Sequence, residues 1–305
     1  MAISSMRPSA EPETVRYRVR HRTHYAYMGD VTLSHHLLHL GPRMHPLQRV
    51  HAAEIVVEPA PAVRTAWTDF FGNPATYIEI EQPHRELLIE ATVDLTVTGR
   101  AGTDPDRTPD WEDVRDTVAG MAGEPARFAF ESVLVRGSDD LAAFARPCFP
   151  AGRPVAAAAT ELMARIHESF AFDPVATTVA TPLGEVLASR RGVCQDFAHL
   201  AVGCLRSLGL PVRYVSGYLR TLPPPGQPRL VGIDASHAWF SVWCGHDAGW
   251  LDLDPTNGRE AGTDHVTLAW GRDYDDVSPV RGVIVGGGAD HSLSVEVDVE
   301  PVAGE

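Results

Sequence analysis

Arg190-Arg191-Gly192-Val193-Cys194-Gln195-Asp196-Phe197-Ala198-His199 is the stretch from which the rest of the chain can be read. It is a break, a cysteine and then a helix. Phe197, Leu200, Ala201, Cys204, Leu205 and Leu208 recur at three- and four-residue steps, the spacing of one buried helix face. Gly209 and Pro211 end the run, and Gly192 lets the backbone turn sharply into it. Cys194 therefore sits at a helix N-terminus, where free N–H groups and the helix dipole favour a thiolate over a thiol. A cysteine that is merely one more small buried residue would fit the same local pattern.

Two later segments decide between these readings. Asp234-Ala235-Ser236-His237-Ala238-Trp239-Phe240-Ser241-Val242-Trp243 supplies a histidine, and Gly249-Trp250-Leu251-Asp252-Leu253-Asp254-Pro255-Thr256-Asn257-Gly258 supplies aspartates. Cysteine, histidine and aspartate in this order match a nucleophile, the base that takes its proton, and a carboxylate that orients the base. Both segments read as strands of a hairpin. His237, Trp239, Ser241 and Trp243 share one face of the first, and Trp250, Asp252 and Asp254 share one face of the second. Cross-strand neighbours lie within side-chain reach, so this pattern allows His237 to meet either Asp252 or Asp254.

The 305 residues suffice for a sizeable core and more than one domain. With 44% hydrophobic and 22% charged residues the composition is that of a globular protein. A formal charge of −14 argues against nucleic acid or an anionic membrane as general partner. No apolar run reaches membrane-spanning length, and the N-terminus lacks the continuous apolar stretch of a secretory signal. The four cysteines show neither metal-ligand spacing nor a disulfide framework, so a reduced, cytoplasmic setting is expected.

Taken in order, residues 1–13 read as a flexible tail. Residues 14–100 alternate in the period of strands, broken by turn signals at Gly29-Asp30, Glu58-Pro59, Gly72-Asn73-Pro74 and Gln82-Pro83. Strands without helices predict an antiparallel β-sandwich-like domain. Residues 101–138 read as a linker or irregular segment. Residues 139–262 carry helices at 141–145, 155–170 and up to Ser189, the cysteine helix, and then strands. Residues 263–305 form a C-terminal β segment that packs on one of the two domains, with an alternating run at 293–299. The expected fold class is α+β.

Gly192-Val193-Cys194-Gln195-Asp196-Phe197-Ala198, Ser236-His237-Ala238-Trp239, Trp250-Leu251-Asp252-Leu253-Asp254-Pro255-Thr256 and Leu208-Gly209-Leu210-Pro211-Val212 together resemble the transglutaminase-like core. The first hundred residues resemble the β-rich N-terminal region of its bacterial branch, described as transglutaminase-like cysteine proteases. The resemblance implies a papain-like core with the cysteine on a helix packed against an antiparallel sheet. It implies Cys194 as nucleophile, His237 as base and Asp254 as orienting acid, the aspartate of the Asp-Pro-Thr step being the family's position. Chemistry alone does not separate Asp254 from Asp252. The family's reactions include hydrolysis of peptide and isopeptide bonds and cross-linking of glutamine to lysine, and some members are catalytically silent.

The expected function is acyl transfer through a thioester, resolved by water, on a protein or peptide substrate. The alternatives are an amine-accepting protein-glutamine transglutaminase and a silent binding or scaffold protein. The backbone N–H of Cys194 is the expected oxyanion donor. Gln195, Trp239 and Asp252 are expected to line the cleft. No metal or other cofactor is expected: the chain shows no calcium-loop pattern, and His35, His36, His39 and His45 read as a loop or edge cluster. His199 points away from the thiol along the helix and reads as structural. The oligomeric state is left open.

Overall fold

The computed structural model describes residues 12–100, 104–221 and 235–302. Most of the expected tail and residues 101–103 of the linker lie outside that set. The alternating N-terminal segment forms β1 (Thr14–Leu38), β2 (Gln48–Glu58), β3 (Val63–Thr68), β4 (Pro74–Ile80) and β5 (His84–Thr98). Gly29-Asp30 is not a turn. β1 runs through it, with a register irregularity between Ala26 and Val31 where its pairing to β5 shifts. Gly29 N–H bonds to the Gly287 carbonyl, so the backbone there is held by a distant segment and not turned back. β5 pairs with the first part of β1 and β4 with the last, giving the sheet order β2-β5-β1-β4-β3. The sheet curls over its own apolar cluster, which includes Leu38, Ile55, Ile78, Ile80, Leu87 and Ile89. A single curled sheet thus gives the sandwich-like form.

Residues 104–138 of the segment expected as linker or irregular carry short helices and buried side chains. α1 (Trp111–Ala119) places Trp111, Val114 and Val118 on one buried face, and α2 (Glu124–Arg127) follows. Phe128 and Val135 are also buried in the protein interior. The Gly- and Pro-rich composition just upstream obscured this short helix. The helical layer continues with α3 (Asp139–Ala145), capped by Ser138 Oγ accepting from Leu141 N–H, and α4 (Val155–Ser169). β6 (Ala171–Phe172), α5 (Leu183–Ser189) and β7 (Arg191–Gly192) lead into α6 (Cys194–Ser207).

α6 packs on an antiparallel sheet ordered β11-β10-β9-β8-β12. Its strands are β8 (Val212–Leu219), β9 (Ala235–Trp243), β10 (Trp250–Asp254), β11 (Arg259–Glu260) and β12 (His265–Gly271). The buried face of α6 meets Ala238, Phe240 and Val242 in one cluster. This is the helix-on-sheet arrangement expected from the resemblance. The described part of the expected C-terminal segment, 263–302, does not act as one segment. β12 closes the core sheet, and after α7 (Tyr274–Val277) the strands β13 (Val280–Gly286) and β14 (His291–Pro301) return to pair with β1. Charge and alternation in the tail could not show which sheet each strand would join.

The two sheets share one core. Tyr17, Val19, Leu95, Val297 and Val299 from the N-terminal sheet lie in the same cluster as Leu200, Phe240 and Leu253. The outer edge of β12 is met by side-chain amides from the N-terminal domain. Gln48 donates to the Thr267 carbonyl at 2.7 Å and accepts from Thr267 N–H at 2.8 Å, while Asn73 does the same at Trp270 at 2.9 and 3.0 Å. Gln48→Leu would leave a buried donor and acceptor without partners. It is expected to cost about 1–3 kcal/mol, measured as a lower urea midpoint with unchanged slope.

Candidate active site

The cysteine end of α6 is built by its neighbours. Asp196, at the third helical position, turns its carboxylate back to accept from Val193 N–H at 2.8 Å and from the Thr177 hydroxyl at 2.6 Å. Gly192 makes room for this. A Cβ there would lie 2.7 Å from Asp196 Oδ2. The result holds Cys194 in the first helical turn, partly exposed, where backbone N–H groups have no intrahelical acceptor.

His237 enters from β9, bonds to Asp254 and shares the lining of one cleft with Cys194. Its Nε2 lies 2.8 Å from Asp254 Oδ2. A carboxylate only accepts, so Nε2 carries the proton and Nδ1 is the nitrogen left for the sulfur. The last registered pair of the β9–β10 hairpin is Phe240 with Leu253. That places Asp254 diagonally from His237, still within side-chain reach. Burial opposes charge on this ring, but the bond to Asp254 and the influence of Cys194 prevail and push its pKa up to about 9.

Asp254 is fully enclosed, yet both of its oxygens are multiply bonded. Oδ1 accepts from Thr256 N–H at 2.9 Å and Asn257 N–H at 3.1 Å. Oδ2 accepts from His237, from the Asn257 amide at 2.7 Å and from His265 Nε2 at 3.1 Å. Burial alone would raise this carboxyl; the donors His237, His265 and Asn257 hold it far below the usual carboxylate range.

His265 was not legible in the sequence. Its place depends on how β12 registers against β8, where His265 pairs with Leu219. Its Nδ1 accepts from Gly262 N–H at 3.2 Å, which fixes the proton on Nε2 and aims it at Asp254. Asn257 and the Thr256 amide carry a local signal, an aspartate bonding to the N–H groups that follow it in a turn. His237, Asp254 and His265 bring their ligand atoms within 4.8 Å of one another. These atoms are already bonded together, and His265 Nε2 is protonated. The trio therefore reads as a hydrogen-bond relay and not as an open cation site. His265→Ala is expected to lower kcat about tenfold with little change in KM, because it loosens the carboxylate without touching the cleft; steady-state kinetics separates the two.

A cleft of about 310 Å³ opens over Cys194 and His237, and Gln195 lines it. Trp239 and Asp252, expected there, do not. They line a separate cavity of about 30 Å³ with Thr98, Arg100 and His265. Asp252 lies opposite Ser241, farther along the sheet than Asp254, and burial raises its pKa. Trp239 packs edge-on against the His265 ring at 5.3 Å. Gly217 lets it do so, since a Cβ there would come within 2.5 Å of the indole. Trp239 thus backs the relay from behind. His199 accepts from Tyr274 N–H at 3.1 Å, and burial lowers its pKa to about 4. The other histidines weighed for metal are dispersed: His35 meets Tyr77, while His39 bonds to the Ser278 carbonyl and lies near Asp69.

As geometry, a partly exposed sulfur and a buried imidazole share the cleft, and the imidazole bonds to a sealed carboxylate. Comparison with known proteins agrees with this architecture. Residues 17–96 match the bacterial transglutaminase-like N-terminal region, and residues 142–255 match the transglutaminase-like superfamily. An uncharacterised protein of Mycobacterium tuberculosis is 41% identical over 300 residues, covering 96% of this chain and 95% of its own. One from Mycobacterium leprae is 34% identical over 295 residues, covering 94% and 99%. A solved structure, a candidate cysteine protease from Cytophaga hutchinsonii, aligns with a TM-score of 0.73 over 96% of this chain and 92% of that one, at 19% identity. At that identity the likeness concerns the fold. With its N-terminal region and core matched in order, and with relatives alike over nearly their whole length, this chain belongs to the transglutaminase-like superfamily.

Proposed function

We propose that this protein is a cysteine-dependent acyl-transfer enzyme that hydrolyses a peptide or side-chain amide. The observation that supports this most is one imidazole placed between the Cys194 sulfur and a fully buried, multiply bonded Asp254. Cys194 attacks the carbonyl carbon, forming the C–S bond, and its proton resides on His237 Nδ1. The C–N bond breaks, and His237 delivers that proton to the leaving amine. Water then attacks the thioester and gives its proton to His237. The C–S bond breaks, that proton returns to the sulfur, and the acid leaves. Asp254 holds the ring in this tautomer and stabilises its positive charge. The backbone N–H of Cys194 is the proposed oxyanion donor, since the first turn of α6 leaves it free of intrahelical bonding.

Water is the proposed acceptor because the sulfur is partly exposed at an open cleft. The substrate is a protein or peptide, and the setting proposed is the reducing cytoplasm, where a reactive thiol persists. Among the described residues no helix is long and apolar enough to cross a membrane. The test is to incubate the full chain with a peptide library, quench, and locate adducts by mass spectrometry. A thioester on Cys194, released as free acid in water, is expected. Release only as an amide with added amine would assign a transglutaminase, and no adduct on Cys194 would favour a silent scaffold.

A further inference from the structure

The far side of the cleft comes from the other domain. Across from Cys194 and His237 it is lined by His21, Thr23 and Tyr25 of β1 and by Leu293 and Val295 of β14. Thr23 pairs with Val295 and Tyr25 with Leu293 across the two strands, so these side chains share one face. Deeper along that face, Tyr17, Val19, Val297 and Val299 are buried in the common core. At the cleft the core ends, and Leu293 and Val295 are left 53% and 46% exposed. Apolar side chains there extend the core's inner face to the edge of the catalytic sulfur.

Apart from the Cys194–His237 pair itself, the remainder of the lining is free of charge. Among the described residues around this cleft none is Asp, Glu, Lys or Arg. His21 bonds to Thr23 Oγ1 at 2.8 Å, and burial lowers its pKa to about 4, so it is neutral at pH 7. At about 310 Å³ the space is at the small end of ligand pockets, which span roughly 300–1,000 Å³. It suits one side chain with its carbonyl. A charged side chain placed there would lose water and find no counter-ion.

We propose that the N-terminal sheet is the specificity wall of this enzyme, and that the acyl group passed to Cys194 carries an uncharged, apolar side chain lying against Tyr25, Leu293 and Val295. This rests on the cysteine-enzyme reading above and narrows its substrate class. The N-terminal domain is then part of the active site, and both sheets must be in place for selection.

The test uses two activated esters of nearly equal shape, the p-nitrophenyl esters of N-acetylnorleucine and N-acetyllysine. They share a four-carbon side chain and differ in the ammonium that lysine carries on its terminal carbon. Release of p-nitrophenolate by the full chain at pH 7, less the rate with Cys194→Ala, gives the acylation rate of each. The norleucine ester is expected to react at least about tenfold faster. Val295→Glu is expected to narrow or invert that ratio by supplying a counter-ion; because both rates come from one preparation, the ratio does not depend on the folded fraction. A ratio within about twofold, or one unmoved by Val295→Glu, would overturn the inference while leaving the cysteine reading intact. Absence of any Cys194-dependent acylation by either ester would overturn the cysteine reading, and this inference with it.

Discussion

Cys194→Ala is expected to reduce turnover of an amide or activated ester by a factor on the order of 10⁴ or more, with the fold intact. The size follows from what is removed. The sulfur is the atom that forms the covalent bond, and nothing else in the described cleft lining replaces it: Cys148, Cys204 and Cys244 are buried in the core. Burial also pushes those thiols up, to about 11 for Cys148 and about 12 for Cys244. The substitution itself is mild for stability, because Cys194 is partly exposed and Ala is a good helix former in the first turn of α6. Loss of rate with unchanged thermal unfolding is therefore the expected pair of results.

Asp254→Asn is expected to lower kcat/KM by roughly 10²–10⁴ and to move its pH dependence. In the native protein burial works against a charged His237, and Asp254 with Cys194 overrides it to give about 9. A ring whose folded pKa exceeds its ordinary value of 6.5 contributes stability that is complete below pH 6.5 and is lost as pH rises through 9. Activity that requires the imidazolium should fall over the same alkaline limb. In the Asp254→Asn variant burial acts on the ring without its main opponent, so the limb should move to the ordinary histidine range or below. The carboxyl works with the opposite sign. Asp254 is depressed, so its contribution is present above the ordinary carboxylate range and lost as pH falls below it. The acid edge of stability in the native protein should therefore flatten in the variant. A kcat/KM profile and a pH series of melting temperatures measure both.

How far the sequence could be read depends on the range of the interactions. Local rules located α6: the apolar steps from Phe197 to Leu208 and the break at Gly192 depend on the residues themselves. The hairpin of β9 and β10 was legible for the same reason, and it carries His237 and Asp254. Non-local register was not legible. No periodicity places His265 beside Asp254, since that contact needs β12 to pair with β8 in one particular frame. Nor does it show that Leu293 and Val295 stand across from the cysteine, because β14 reaches the cleft only by pairing with β1. Asp252 illustrates the same limit from the other side. Strand alternation gave it the same face as Asp254, yet two residues along the strand move it to a different cavity. Alternation gives the face of a residue and not its position along the sheet. The helix α1 was hidden for a simpler reason, since its apolar face of Trp111, Val114 and Val118 is short and follows a Pro-rich break.

The most direct measurement of the central claim is alkylation of the full chain with iodoacetamide at pH 6, followed by mass mapping of the modified cysteine. Modification confined to Cys194, and slowed by at least about tenfold in Asp254→Asn, is the predicted result: His237, which shares the cleft with the sulfur, stays charged up to about pH 9. Slow modification of Cys194, as for a thiol of ordinary pKa near 8.5, with no difference between the native protein and Asp254→Asn, would contradict a reactive pair held in place by the buried carboxylate.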